Sequence, residues 1–286
     1  MYVYRMSRLG YTWKYIKHFL TAKDAHGLHS PLTFSFYNIV LHPRRGLIKA
    51  EVTIEAIRRS LESDRTVIEV LDLGAGPRSK QPAEPRARSV TSPGTPLVTP
   101  RVASRQVSEI AKNALKSRKL ALTLYRLAAW HKPRVIIELG TSLGITSAYF
   151  SHAVPGAKII SIEGSPVIAG LARRTHKLAG AHVEVLDGNF DDLLPVVLDQ
   201  LDTDDFILYV DGNHTYKATL RYFEMGRRKA GERTLIVFDD IHWSHEMELA
   251  WAAIVQDEKV TLSIDTFFFG LVIFETTRAT QHFKVR

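Results

Sequence analysis

From Val107 to the end of the chain, short apolar runs alternate with segments whose apolar residues recur at helical spacing. Five of these runs, the first of which reads "RVIIEL", are rich in β-branched residues, and each is followed by a helical segment. Two closing runs, near "VTLSID" and "GLVIFE", have no long helix between them. Strict alternation predicts a parallel sheet with helices on both faces, and the closing pair predicts an antiparallel hairpin at one edge. We therefore expect an α/β fold with a mostly parallel sheet of seven strands.

The first 106 residues differ from the rest in charge and in regularity. They hold 17 Lys and Arg against 8 Asp and Glu, a net charge of +9, whereas residues 107–286 hold 21 against 22, a net charge of −1. "YTWKYIKHFLTAK" and "VTIEAIRRSLESD" each predict a helix, and residues 77–106 predict a loop or lid rich in Pro, Arg and Ser. We therefore predict a basic N-terminal cap over residues 1–106 and a second domain over 107–286.

The basic excess of the cap is compatible with three kinds of partner. The cap could cover an active site and attract an anionic substrate, bind nucleic acid through phosphates, or rest on an anionic membrane surface through the helix around Trp13. We favour the first. Nucleic acid is the less favoured partner, because the sequence carries no aromatic RNA-reading motif. The expected partner is a small molecule, anionic or a sugar; a peripheral membrane contact stays open, and the oligomeric state is not indicated.

Composition excludes several classes of protein and site. The chain has no cysteine, which excludes disulfides, thiolate metal sites and cysteine nucleophiles. The longest apolar run, "TFFFGLVIF" from Thr266 to Phe274, is far shorter than the ~20 residues of a membrane span. Lys14 and Lys17 interrupt the aromatic N-terminal stretch, so it has no signal-peptide core. We expect a cytoplasmic protein.

Two stretches resemble a strand followed by a nucleotide-binding turn. They are "VLDLGAGPRS", which starts at Val70, and "IIELGTSLGIT", which starts at Ile136. Only the second has a helix after it and a following strand that ends in an acid, Glu163, which could bind ribose hydroxyls. We therefore assign the ligand to the Gly140 loop and interpret the Gly74–Gly76 loop as a turn into a flexible cover.

The Gly140 loop matches neither the dinucleotide fingerprint G-x-G-x-x-G nor a phosphate-binding P-loop. Its pattern E-x-G-x-S-x-G resembles motif I of the class I S-adenosylmethionine (SAM) methyltransferases, [DE]-x-G-x-G-x-G, with Ser142 in place of the middle glycine. The resemblance covers residues 107–286 and implies a Rossmann-like fold. It also implies that Gly140 and Gly144 line the methionine end of SAM, that Glu163 holds the ribose, and that "LDGNF" passes near the adenine. The expected donor-site residues are thus Glu138, Gly140, Ser142, Gly144, Glu163, Gly188 and Asp211.

Carboxylates cluster after the fourth and fifth predicted strands, in "YVDGNHTY" and "FDDIHWSHE". Asp211, Asp239 and Asp240 should lie side by side at one edge of the sheet, and such a cluster is stable chiefly with a cation or a base among its members. Oxygen ligands without cysteine indicate Mg²⁺. His214, three residues after Asp211, is the expected base that takes a proton from a hydroxyl. The alternative is that Asp211 and Asp239 only cap the helices that follow them.

This arrangement resembles the metal-dependent small-molecule O-methyltransferases, of the catechol type and of the type that acts on sugar hydroxyls. The resemblance implies a base three residues after the first Asp: lysine in the catechol type and histidine in some sugar-acting members. His214 therefore favours an aliphatic or sugar hydroxyl over a catechol. His242 and His245 are expected to open a helix and not to bind the metal.

The sequence thus predicts a SAM-dependent methyltransferase that acts on a hydroxyl of a small molecule with the assistance of Mg²⁺, with Asp211 and His214 as its catalytic residues. Two alternatives remain open. One is a metal-independent methyltransferase that acts on nitrogen, including nitrogen in RNA. The other is a non-catalytic basic protein that binds nucleic acid or a membrane through a degenerate nucleotide fold.

Overall fold

The computed structural model describes residues 8–43, 46, 48–72, 101–275 and 279–286. Helices and strands account for most of these residues. The helices are α1 Arg8–Thr21, α2 Pro31–Phe36, α3 Lys49–Ser63, α4 Val107–Ala114, α5 Arg118–His131, α6 Ile145–Ala153, α7 Pro166–Ala179, α8 Phe190–Asp199, α9 Tyr216–Lys229 and α10 His245–Val255. The strands are β1 Val67–Asp72, β2 Arg101–Gln106, β3 Val135–Leu139, β4 Lys158–Glu163, β5 Glu184–Asp187, β6 Phe206–Val210, β7 Leu235–Asp239, β8 Leu262–Asp265, β9 Phe269–Ile273 and β10 Gln281–Lys284.

The main sheet has eight strands in the order β10-β8-β9-β7-β6-β3-β4-β5. Every pairing is parallel except those of β9, which is antiparallel to both β7 and β8. The predicted α/β fold with its closing hairpin is confirmed. The strand count and the edge position of the hairpin are wrong, because β10 adds an eighth strand outside β8. Its sequence "QHFK" is too short and too polar to form an apolar run.

The sheet is covered on both faces because successive strand residues point to opposite sides. Ile136, Ile207 and Val237 pack in one buried cluster, with residues of α2, α5 and α6. Ile137 and Leu208, one position further along, pack in the other, with residues of α8, α9 and α10. This layering leaves the C-terminal ends of the parallel strands at one rim, where ligands bind in folds of this type.

A two-stranded sheet precedes the main sheet. β1 pairs antiparallel with β2, with Val67 opposite Gln106. The prediction of a loop over 77–106 is therefore wrong for residues 101–106, which form a strand. Their Arg, Ser and Gln side chains do not indicate a strand, because backbone pairing with β1 stabilises it. Residues 73–100, with the Gly74–Gly76 loop and most of the predicted lid, lie outside the described residues. The division into a cap and a domain at residue 106 stays a prediction.

Helix α1 lies against the rim of the sheet formed by the ends of β7 and β8. Tyr11 and Tyr15 contact the ring of Phe267, which follows β8, at centroid distances of 5.1 and 5.0 Å. After the helix, Lys23 forms a parallel bridge with Val285 at the end of the chain. Within the described ranges, every helix is too short or too polar to cross a membrane.

Candidate active site

The loop after β3 packs directly against the loop after β6. Gly140 has a φ of +101°, and a Cβ at this position would lie 2.2 Å from the backbone oxygen of Asp211. Gly144 has a φ of +78°, and a Cβ there would lie 2.7 Å from Nε2 of His176. Only glycine satisfies both the backbone conformation and the space at these positions. The predicted Gly140 loop is thus a tight turn that sets the start of α6 beside Asp211.

Glu163, at the end of β4, holds three loops together. Its Oε2 accepts a hydrogen bond from the backbone N of Ser142 at 2.9 Å, and its Oε1 accepts one from the N of Ser165 at 3.0 Å. Its backbone oxygen accepts a bond from the N of Gly188 at 2.9 Å. Burial raises the pKa of Glu163, while these backbone bonds to the carboxylate oppose the rise. Three of the expected donor-site residues, Glu163, Ser142 and Gly188, therefore meet in one place.

Two buried polar atoms beside this loop lack a partner among the described residues. Glu138 is fully buried; its Oε2 accepts a bond from the hydroxyl of Ser161, but its Oε1 accepts none. The hydroxyl of Ser142 is also buried without a partner. Burial raises the pKa of Glu138 to about 8, although the bond from Ser161 opposes the rise. Unsatisfied buried polar atoms are costly, and their place in the Gly140 loop fits a polar ligand that would complete them.

Lys116 lies among the three predicted metal ligands. Its ammonium forms a short ion pair with Asp239, lies 3.1 Å from Oδ1 of Asp211, and lies 4.0 Å from Oδ2 of Asp240. Burial alone would lower the pKa of Lys116, but the three carboxylates outweigh burial and raise it. Burial and the neighbouring carboxylates likewise raise the pKa of Asp239, against the effect of Lys116. The structure thus brings the carboxylates together around a protonated lysine.

The hydroxyl of Tyr209 contacts two of these carboxylates. Its hydroxyl lies 3.2 Å from Oδ2 of Asp211 and 3.3 Å from Oδ1 of Asp239, so its single proton is shared between them. Burial, followed by the negative charges of Asp211 and Asp239, raises the pKa of Tyr209 well above its usual value. The tyrosine therefore stays a neutral donor that fixes the direction of both carboxylates.

His214 lies beside this cluster, with Nε2 at 3.7 Å from Oδ1 of Asp211. The alternative that Asp211 and Asp239 cap the helices that follow them is wrong. Thr215 caps α9 by accepting from the N of Ala218, and Ser244 caps α10. The side chains of Asp211 and Asp239 are thus not used as helix caps and belong to the cluster. His214 lies close enough to Asp211 to take a proton from a group bound beside that carboxylate.

The donor set also fits a hard cation. Of the three predicted ligands, Asp211 and Asp239 belong with His214 to a group whose ligand atoms lie within 4.8 Å of one another, whereas Asp240 is not part of that group. The ammonium of Lys116 contacts the carboxylates of Asp211 and Asp239, so a Mg²⁺ ion between them would have to displace it. Asp240 has a φ of +53° and lies furthest from the lysine, at the exposed side of the cluster.

The N-terminal helix contributes an aromatic lining above the carboxylates. The ring of Tyr11 contacts that of Trp243, at a centroid distance of 6.4 Å. Burial, then the charges of Asp240 and Asp239, raises the pKa of the Tyr11 hydroxyl. The Tyr11 side chain therefore lies close enough for the charges of the acidic cluster to act on it, and α1 lies beside that cluster.

The sequence predicted the carboxylates, the glycine loop and His214 as site residues, but it did not predict that Lys116, Tyr209 and Tyr11 lie beside them. Tyr209 had a usable signal, because it stands two residues before Asp211 in a strand and therefore shares its side. Lys116, between α4 and α5, belongs to no motif, and nothing in its neighbourhood indicates the cluster.

Residues 137–241 match the family model described as a methyltransferase domain. No curated protein has a sequence that matches significantly. Among solved structures, an SAH-bound methyltransferase of Podospora anserina is 16% identical, with a TM-score of 0.50 over 58% of this chain and 81% of that one. An O-methyltransferase of Bacillus cereus in complex with SAH is 19% identical, with a TM-score of 0.49 over 56% and 83%. An O-methyltransferase of Streptomyces achromogenes in complex with SAM is 21% identical, with a TM-score of 0.49 over 57% and 82%.

Proposed function

We propose that this chain, whose residues 137–241 match a methyltransferase domain, transfers a methyl group from SAM to a hydroxyl group of a small molecule. The observation that carries the proposal is the contact between the Gly140 loop and Asp211. This contact joins a loop of the donor-binding type to a cluster of proton-binding side chains. A donor methyl group and an acceptor hydroxyl could therefore lie within reach of each other.

The donor side of the proposal rests on Glu138, Ser142 and Glu163. The unpaired buried oxygens of Glu138 and Ser142 suit the polar groups of the methionine part of SAM. Glu163 keeps free lone pairs for ribose hydroxyls, since each carboxylate oxygen accepts one backbone bond. Gly188 extends the same surface toward the adenine.

In the proposed reaction, the acceptor oxygen attacks the methyl carbon, and the carbon–sulfur bond of SAM breaks. S-adenosylhomocysteine leaves, and the hydroxyl proton passes to Nε2 of His214. Asp211 would hold the charged imidazolium that results, from its present distance of 3.7 Å. Lys116 is protonated in this environment, so it serves as a cation and not as the base.

Divalent-metal assistance is part of the proposal. Asp211, Asp239 and Asp240 would hold the Mg²⁺ ion in place of the Lys116 ammonium. A bound Mg²⁺ lowers the pKa of an acceptor hydroxyl and orients it. The acceptor is proposed to be an aliphatic or sugar hydroxyl, because His214 stands at the base position and the basic first 106 residues favour an anionic molecule.

The test begins with calorimetric titration of SAM into the protein and into Glu163→Ala. We expect binding that the substitution weakens at least tenfold, since Glu163 also positions Ser142. Val196→Ala, at an exposed position of α8, is the matched control and should leave the affinity unchanged. Absence of SAM binding would contradict the proposal and favour a non-catalytic binding protein.

The second step measures transfer of the labelled methyl group of SAM to a panel of sugars, catechols, aliphatic alcohols and RNA. We expect labelling of a sugar or aliphatic hydroxyl, loss of labelling in EDTA, and recovery with Mg²⁺. Labelling that survives chelation would contradict the proposed metal assistance but not the proposed methyl transfer. Labelling of nitrogen in RNA would contradict the hydroxyl acceptor and favour the N-methyltransferase alternative.

A further inference from the structure

A second cluster of ligand-type side chains lies apart from the Asp211 cluster, where α1 meets the end of β8. Nε2 of His18, on α1, lies 3.0 Å from Oδ1 of Asp265. Nε2 of His242, in the turn after β7, lies 3.0 Å from Oδ2 of the same carboxylate. Two imidazoles from distant parts of the chain therefore point one nitrogen each at a single buried aspartate.

The spacing of these atoms suits a small divalent cation. The three ligand atoms lie within 4.8 Å of one another. Ligands about 2.0–2.1 Å from a tetrahedral zinc ion are roughly 3.3 Å apart, close to the observed nitrogen–oxygen distances. His18 and Asp265 are both buried, so a bound ion would be largely shielded from solvent on their side. Two nitrogen ligands and one carboxylate favour zinc over magnesium.

The orientation of His242 is set by a second carboxylate. Its Nδ1 lies 3.2 Å from Oε1 of Glu248, whose other oxygen accepts a bond from Lys14. A carboxylate can only accept, so the Nδ1 of His242 carries the proton toward Glu248. By the same argument Nε2 donates to Asp265 in the metal-free protein, and a bound cation would take the place of that proton. A carboxylate–histidine pair of this kind commonly orients a metal-binding histidine.

Phe267 fixes the opposite side of the cluster in a strained backbone conformation. Its φ is +75°, which is rare for a bulky residue, and its ring is buried. The ring stacks on His242 with a centroid distance of 5.1 Å and an interplanar angle of 21°. Its backbone N donates to Oδ1 of Asp265 at 2.8 Å. The strained backbone of Phe267 therefore lies where this residue positions both His242 and Asp265.

The cluster also has room for a further ligand. A cavity of about 320 Å³ borders His18 and His242, and Lys17, Thr21 and Glu248 are among its other lining residues. A tetrahedral ion with three protein ligands needs one more, which water or a small anion in this cavity could supply. Lysine side chains at the rim favour an anion.

We propose that His18, His242 and Asp265 form a zinc site that fastens helix α1 to the sheet. The same helix carries Tyr11 next to the carboxylates of the candidate active site, about 10 Å away along the helix axis at 1.5 Å per residue. A zinc ion here would hold α1 in register over the active site. It shares no ligand with the proposed magnesium site, and it does not depend on the proposed reaction.

The experiment titrates Zn²⁺ and Co²⁺ into full-length protein that has been freed of metal with a chelator. We expect one Zn²⁺ bound in the presence of excess Mg²⁺, and the ligand-field absorption of tetrahedral Co²⁺. His18→Gln and His242→Gln should each weaken Zn²⁺ binding at least a hundredfold and remove the Co²⁺ signal. Glu248→Gln, which removes only the orienting carboxylate, should weaken binding about 10- to 100-fold.

Two controls keep the result specific. His245→Gln removes an exposed histidine three residues away and should bind Zn²⁺ like the unaltered protein. Asp211→Ala removes a ligand of the other candidate site and should also bind Zn²⁺ normally. Each variant is first checked for native circular dichroism, and the Co²⁺ spectrum of the unaltered protein is a test that needs no variant. No Zn²⁺ binding by the unaltered protein would overturn the proposal, as would binding that persists in both His18→Gln and His242→Gln.

Discussion

The ammonium of Lys116 forms an ion pair with Asp239, 123 residues further along the chain. The pair is almost fully enclosed, because only 12% of the Lys116 side chain and 1% of that of Asp239 are exposed. Lys116 precedes α5, whereas Asp239 ends β7. The ion pair therefore connects the segment between α4 and α5 to the rim of the sheet, within the acidic cluster of the candidate active site.

Lys116→Met should destabilise the protein by about 3–5 kcal/mol, because it leaves buried carboxylates without a cation. Mg²⁺ should restore part of this stability if it binds the same oxygens. The measurement is urea unfolding with EDTA and with Mg²⁺, beside Lys112→Met, an exposed lysine of α4. Stability equal to that of the unaltered protein in EDTA would contradict the role of the ion pair. Destabilisation that Mg²⁺ does not relieve would contradict the proposed magnesium site but not the role of the ion pair.

Asp211→Ala should reduce methyl transfer by about 10²–10⁴-fold, since it removes the partner of His214 and one carboxylate of the cluster. SAM affinity should change by less than about threefold, because the contact of Asp211 with the Gly140 loop is made by its backbone. Calorimetry and labelled-methyl transfer, on the acceptor that reacts best in the panel, measure the two effects. Asp192→Ala, at an exposed position of α8, is the control. Equal loss of binding and turnover would be incompatible with the assigned role.

Gly140→Ala should weaken SAM binding at least tenfold. The added Cβ would lie 2.2 Å from the backbone oxygen of Asp211, and the φ of +101° disfavours any side chain. Relief of this clash must shift one of the two loops, at a cost of about 1–3 kcal/mol. The measurement is SAM calorimetry beside Gly156→Ala, where an added Cβ meets nothing within 4 Å. Unchanged affinity in Gly140→Ala would show that the loop does not form the donor site.

Glu138→Gln should remove a pH dependence of stability. The pKa of Glu138 is about 8 in the folded protein and about 4.5 in the unfolded chain, so the folded state holds one extra proton between these values. The free energy of unfolding contributed by this group therefore falls as pH rises from 5 to 8, by up to about 1.4 kcal/mol per unit. The glutamine variant lacks this fall and should gain stability relative to the unaltered protein as pH rises.

Urea unfolding at pH 5, 6.5 and 8 measures this difference. Glu258→Gln, at an exposed position, is the control and should follow the unaltered protein at every pH. A difference between Glu138→Gln and the unaltered protein that stays constant from pH 5 to pH 8 would contradict a raised pKa at Glu138.

The order of strands and helices from β3 to β9 was predictable because it follows from local hydrophobic periodicity. Ile136 and Ile137 point to opposite faces of a buried strand, and each face finds helices whose apolar residues recur every three or four positions. The glycine positions were predictable for a similar reason, because the positive φ of Gly140 and Gly144 is a local requirement that the residue type reveals. The aspartates after β6 and β7 followed from the rule that parallel strands end at one rim.

Strands β2 and β10 could not be read from the sequence, because backbone pairing with a neighbour makes them strands and their own side chains do not show it. The same holds for the candidate zinc cluster, whose His18 and Asp265 are 247 residues apart.

The sequence by itself therefore determined the part of the sheet from β3 to β9, the glycine loop and the acidic rim, since each depends on residues close together in the chain. Only the tertiary structure decided that Lys116 is the cation among the carboxylates and that α1 lies over them. Both depend on the path of the chain between distant elements. Electrostatic attraction pairs Lys116 with Asp239, and aromatic packing places Tyr11 of α1 against Phe267. No local sequence pattern specifies either partner.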